Sequence, residues 1–258
     1  MSGFAVTKQP GGKEDDTGGI QFEMQENKRG DPFSFCDRLA TPAGCQVLKD
    51  VNRLVIRQNI EEDIEGPCGS GSTFTIFNDG EDIMFYAGER SDCFSRWICG
   101  PHRQFSLSIW NVQEEEVLSL THPCCRCDWC CCVDCFVCAH RLTISDRKND
   151  QIGSIVQTFS CCQPMFEILD KTKEPIAIFK GPCCPCRCCT DMEFPIMDAS
   201  DTKEMGYVMK RWGGERPDGI NCDHEYYEII FPPAMLSRDK ALMLASSFLI
   251  HYMYFEIS

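Results

Sequence analysis

The chain has 258 residues, enough to bury a sizeable core without covalent staples. Its net charge of −14 argues against a nucleic-acid binder, because a phosphate backbone needs a basic face. The 21 cysteines therefore exceed anything a core of this size requires, and they need a reason of their own.

Residues 1–30 are rich in Gly, Lys, Glu and Asp and are expected to form a mobile tail ahead of one domain spanning 31–258. The tail has no apolar stretch of the signal-peptide kind, so the chain is expected in the reducing cytosol. From Phe74 onward the pattern is paired strands. Phe74 and Ile76 lead through Asn78-Asp79-Gly80 to Ile83 and Phe85. Phe105, Leu107 and Ile109 turn at Asn111–Glu116 and return through Leu118 and Leu120. Leu142 and Ile144 face Ile155 across a polar turn, and Phe166 and Ile168 face Ile176 and Ile178 across another. Many short alternating strands joined by polar turns predict a sandwich or barrel. The layout also repeats: a hairpin leads into each of two cysteine runs, which suggests an internally duplicated β structure.

The first run is "HPCCRCDWCCCVDCFVCAHR" from His122 to Arg141, with eight cysteines; the second is "GPCCPCRCC" from Gly181 to Cys189. Such crowding serves disulfides, metal or acylation. The expected redox setting and the odd count disfavour a disulfide framework. Cys127 with Cys130, and Cys132 with Cys135, have the C-x-x-C spacing that chelates Zn²⁺. Cys183, Cys184, Cys186, Cys188 and Cys189 offer a second zinc set, although adjacent thiols are less typical of a tetrahedral site. Several thioester-linked acyl chains in one cluster would anchor a protein stably, where a single chain would not.

The C-terminal stretch 235–256 is apolar nearly all round. Ala241, Phe248, Leu249, Ile250, Met253 and Phe255 lie within 15 residues that carry no carboxylate, Lys or Arg. That is short of the about 20 residues a bilayer span needs, and His251 lies inside it, so a helix buried in the barrel is expected. No nucleophile elbow or phosphate loop is present, and no covalent chemistry is predicted.

Two segments carry a family likeness. "IIFPPAMLSRDKALMLASSFLIHYMYFE" resembles the C-terminal segment of the phospholipid scramblases, and "RWICGPHRQFSL" resembles that family's Arg-x-x-Cys-Gly-Pro-x-Arg-x-Phe segment. The resemblance implies a tubby-like fold, a closed barrel of about twelve antiparallel strands around a hydrophobic helix. It implies calcium-dependent, ATP-independent, bidirectional movement of phospholipids between leaflets. The matching place of the family's acylated run is Cys130, Cys131, Cys132 and Cys135, implying covalent palmitate, with Asp134 where the family has no charge. The family's calcium-loop positions fall on Asp223, Glu225, Tyr227, Ile229, Phe231 and Ala234. The last offers no carboxylate, and the alternation of Tyr227, Ile229 and Phe231 reads as a strand. Glu228 is a further candidate carboxylate. The family's nuclear-import segment matches "GYVMKRWGG", whose cations are Lys210 and Arg211, and reads more simply as a strand ending in a basic pair. The implied partners are membrane phospholipids and signalling proteins, at the cytoplasmic face of the plasma membrane or an endomembrane. A membrane-recruited binding adaptor that moves no lipid, and a zinc-binding β protein, stand as the alternatives.

Overall fold

The computed structural model describes residues 41–59, 71–90, 104–123, 139–160, 162–183, 191–211, 226–232 and 234–255. Twelve strands form one closed antiparallel barrel. They are β1 (Arg53–Asn59), β2 (Thr73–Phe77), β3 (Ile83–Arg90), β4 (Phe105–Asn111), β5 (Glu116–His122) and β6 (Arg141–Asp146), then β7 (Gln151–Thr158), β8 (Met165–Asp170), β9 (Pro175–Lys180), β10 (Met192–Asp198), β11 (Glu204–Lys210) and β12 (Tyr226–Ile230). Each pairs with its sequence neighbours, and β12 closes on β1 with Arg53 opposite Ile230. Closure leaves no free edge to pair with another chain.

Five hairpins share one turn. Asn78, Asn111, Asp146, Asp170 and Asp198 each accept two backbone N–H bonds on the side-chain oxygen from residues further round the turn. Each backbone carbonyl also takes an N–H three residues on. The donating residues Glu81, Glu114, Asn149, Lys173 and Asp201 have φ between 58° and 66°. Three of them are Glu or Lys, which avoid this region alone. The Asx side chain supplies the bonds that hold them there. The repeat visible in the backbone is thus the hairpin itself, and the two cysteine runs leave the barrel four strands apart.

The inner face carries the apolar residues the alternation predicts, with one change of phase. In β9, Phe179 lies opposite Phe166 and Ala177 opposite Ile168, so Ile176 and Ile178 are not their partners. The run Ile-Ala-Ile-Phe is apolar on both faces, so alternation alone carried no phase there.

Helix α1 (Ser237–Ile250) runs down the interior and passes into a π-helical turn at His251–Phe255. Ala241, Phe248, Leu249, Ile250, Met253 and Phe255 are each no more than 6% exposed. A helix with no polar stripe is stable only when surrounded, and here the barrel surrounds it. Its 14 α-helical residues span about 21 Å. Among the described residues no helix is long and apolar enough to cross a membrane. At the entry, Lys240 Nζ donates to the carbonyls of Lys49 (2.9 Å) and Val51 (2.6 Å). Burial lowers its pKa, and Asp50 partly offsets this. Gly153 lets the helix approach β7: an added Cβ would sit 2.6 Å from the Leu169 carbonyl oxygen and 2.7 Å from Leu242 Cδ2.

Candidate functional site at the open end of the barrel

Up-and-down topology sorts the connections. The five tight turns lie at one end, and α1 enters there after β12. The strand ends that flank residues 60–72, 91–104, 123–140, 159–164, 181–191 and 211–225 all lie at the other. The roots of both cysteine runs and of the 223–225 acidic segment therefore share one end. The π-turn reaches the same end. Tyr252 packs on Phe105, the first residue of β4, and Tyr254 on Phe166 and Phe194, near the starts of β8 and β10.

The inner face is apolar at mid-barrel and becomes polar at this end. Alternation along the strands carries Phe85 and Ala87 on to Glu89, Leu118 and Leu120 on to His122, Ile155 on to Gln157, and Val208 on to Lys210. His140 stands two residues before Leu142 in the same phase. All five polar residues are buried, between 1% and 7% exposed. His122 Nε2 and His140 Nδ1 are 3.1 Å apart. The His122 ring stacks on Phe105, with centroids 5.0 Å apart and planes at 7°. The His140 amide donates to Gln157 Oε1 (3.3 Å), and the Gln157 amide donates to the His140 carbonyl (2.8 Å). His251 stacks on Tyr227, whose hydroxyl shares a 3.3 Å hydrogen bond with Ser247 Oγ. Burial raises the Tyr227 pKa strongly, and the Ser247 bond recovers only part of the shift. Sequence reasoning singled out only Lys210 of this layer, as part of a basic pair at a strand end.

On the outer face, Glu228 is a buried carboxylate between two cations. Arg53 Nε donates to it at 2.8 Å, and Arg211 donates through Nε (2.8 Å) and Nη2 (2.7 Å). Arg211 Nη1 also meets Asp191 at 3.1 Å. Both guanidinium pKa values rise, first through the hydrogen bonds to Glu228 and against the cost of desolvation.

The Scramblase family model matches residues 34–257, nearly the whole chain and all of the barrel. The chain belongs to the phospholipid scramblase family. It is 32% identical to phospholipid scramblase 1 of Homo sapiens over 220 residues, covering 84% of this chain and 67% of the relative. Identity to phospholipid scramblase 2 of Bos taurus is also 32%, over 222 residues, covering 85% and 74%. Phospholipid scramblase family member 5 of Homo sapiens is 28% identical over 230 residues, covering 88% and 82%. No solved structure matches the chain significantly.

The scramblase-derived site residues fall as follows. Cys130, Cys131, Cys132 and Cys135 lie outside the described residues, as do Cys184, Cys186, Cys188, Cys189, Asp223 and Glu225. Cys183 is described and exposed. Tyr227 and Ile229 belong to β12, which is laddered on both sides: Tyr227 pairs with Ile56 and Lys210, and Ile229 with Leu54 and Val208. Phe231 follows the strand and donates its amide to the Asn52 carbonyl. Glu228 is ion-paired with two guanidiniums on the outer face. The basic pair is divided: Lys210 is buried on the inner face, and Arg211 joins the outer network. Among the described residues no group of three or more His, Cys, Asp or Glu is placed to hold a metal ion.

Proposed function

We propose that this chain is a membrane-bound phospholipid scramblase, moving phospholipids between leaflets in a calcium-dependent, ATP-independent manner without covalent chemistry. The observation that carries this is the family match, which runs through every strand and the interior helix. Thioester-linked acyl chains on Cys130, Cys131, Cys132 and Cys135 would hold the barrel to the cytoplasmic leaflet, because two or more chains anchor where one does not. Calcium would bridge acidic side chains to anionic headgroups and offset the repulsion of a −14 protein. Asp223 and Glu225 precede β12, and the acidic run Glu61, Glu62, Asp63, Glu65 follows β1, its neighbour in the barrel. The carboxylates of both segments thus stem from adjacent strands at the open end. Zinc on Cys183, Cys184, Cys186, Cys188 and Cys189 is the competing use of the second run.

A second reading has its own support. The interior is filled by α1, so this conformation offers acyl chains no passage through the barrel. A barrel with a filled core fits an acylated adaptor that binds signalling proteins and moves no lipid. Reconstitution separates the two. Full-length protein in vesicles with a fluorescent inner-leaflet lipid should raise the fraction bleached by dithionite when Ca²⁺ is added. Vesicle flotation with no added bleaching would leave the adaptor. Hydroxylamine-sensitive label on Cys130–Cys135 tests the anchor separately.

A further inference from the structure

The His122–His140 pair has no role in lipid movement or in calcium binding as described above. We propose that these two imidazoles are ligands of a divalent transition-metal ion of the zinc type, seated inside the open end of the barrel. Their facing nitrogens are 3.1 Å apart. Two nitrogens bound to one tetrahedral zinc at about 2.0–2.1 Å stand about 3.3–3.4 Å from each other. The two nitrogens meet head-on along the 5.4 Å line between the ring centroids, so metal entry asks for a small lengthening, a tilt of each ring toward an ion lying off that line, and release of the proton they share.

The pair is held in place by its surroundings. Phe105 fixes the plane of the His122 ring, and Gln157 fixes the backbone of His140 from both its N–H and its carbonyl. Neither imidazole has to be ordered on binding, so that entropy is spent in folding. Both rings are at least nine-tenths buried. Imidazole nitrogen suits Zn²⁺, Cu²⁺ and Ni²⁺, whereas Ca²⁺ takes oxygen, so this site is chemically distinct from the calcium requirement. Two protein nitrogens leave the ion's other positions for water or further donors.

The location carries a consequence. His122 ends β5 and His140 stands just before β6, so the ion would tie together the two roots of the connection that bears eight cysteines. Metal occupancy would tighten the base of that connection.

The experiment uses reduced, metal-stripped full-length protein titrated with Zn²⁺ and followed by NMR of the imidazole nitrogens. The expected result is that two imidazole sets, assigned by single His122→Asn and His140→Asn variants, shift together at stoichiometric zinc. The double variant, folded by circular dichroism, should take up one ion fewer per chain than the parent. Thiol sites elsewhere would load equally in both proteins. Equal zinc content in parent and double variant overturns the proposal. Should the variants fail to fold, the parent spectrum decides: imidazole signals that all stay in place under saturating zinc leave a plain N–H···N hydrogen bond and no metal.

Discussion

Replacing Gly153 with alanine tests whether α1 is seated inside the barrel. The added methyl carbon would lie 2.6 Å from the Leu169 carbonyl oxygen on β8 and 2.7 Å from Leu242 Cδ2 on the helix. Both are well inside van der Waals contact. The leucine tip can rotate, but the carbonyl belongs to a strand paired on both sides. Overpacking of this kind costs about 1–3 kcal/mol. The alanine also restricts the unfolded chain, which returns about 0.4–1 kcal/mol. A net loss of roughly 1–2 kcal/mol follows, lowering the melting temperature by about 2–8 °C for a domain of this size. Leu242→Ala alone should cost about 2–5 kcal/mol as a cavity. In the double variant the new methyl group has lost one of its two obstacles. The combined cost should fall short of the sum by about 0.5 kcal/mol or more. Urea unfolding monitored by tryptophan fluorescence and circular dichroism measures all four corners of the cycle. A neutral or stabilising Gly153→Ala, with strict additivity in the double variant, would mean that the helix does not rest on β7.

Glu228→Gln removes the carboxylate that two guanidiniums share while keeping the side chain's shape. Breaking a buried pair costs about 3–5 kcal/mol, but Arg53 and Arg211 are 40% and 37% exposed and water reclaims part of that loss. The expected destabilisation is about 1–2 kcal/mol in chemical denaturation. Phe248→Ala empties a fully buried position that meets Phe74 edge-on at 5.2 Å, and should cost about 3–5 kcal/mol, with Phe248→Leu costing clearly less. Acid sensitivity has a definite sign. Burial pushes the Asp170 carboxyl up, but the Thr172 hydroxyl, the amides of Glu174 and Thr172, and Arg238 hold it below its ordinary value. Its contribution is complete above the unfolded value of about 3.9 and is lost as pH falls through the lower folded value. Asp170→Asn should fold, because Asn78 and Asn111 make the same turn, and its melting temperature should fall less steeply than the parent's on acidification below pH ~4. Parallel curves would remove Asp170 from the acid response.

What the sequence disclosed follows from which residues have only one physical use. Phe74, Ile76, Phe105, Leu107 and Ile109 alternate with polar neighbours, so one face was dictated and the barrel confirms it. The stretch after Ala241 had no stripe, which suits either a protein core or lipid, and its 15-residue length and His251 favoured the core in which the barrel encloses it. Ambiguity arose where two solutions cost the same. Ile176–Phe179 is apolar on both faces, and its phase came from the Asp170 turn and the β8 register. Glu81, Glu114 and Lys173 gave no hint of a left-handed backbone, which their Asx partners impose from three residues away. Lys210 read as part of a basic pair at a strand end, and His122 and His140 drew no reading of their own, because spacing along one strand is blind to what stands on the next. Glu228 read only as a candidate carboxylate, and the pairing of β12 with β1 and β11 brings Arg53 and Arg211 to it.

Joining β12 to β1 has a consequence for biosynthesis. The hydrogen bond between Arg53 and Glu228 links residues 175 apart in the chain. Translation delivers β1 before the other barrel strands and β12 after them, with the segment that fills the middle later still. Until β12 has been made, β1 presents unpaired backbone groups along one side. Pairing at such separation is slow, and an uncovered edge invites association with other chains. The same late strand decides both when the barrel closes and when its filling helix finds a wall on every side.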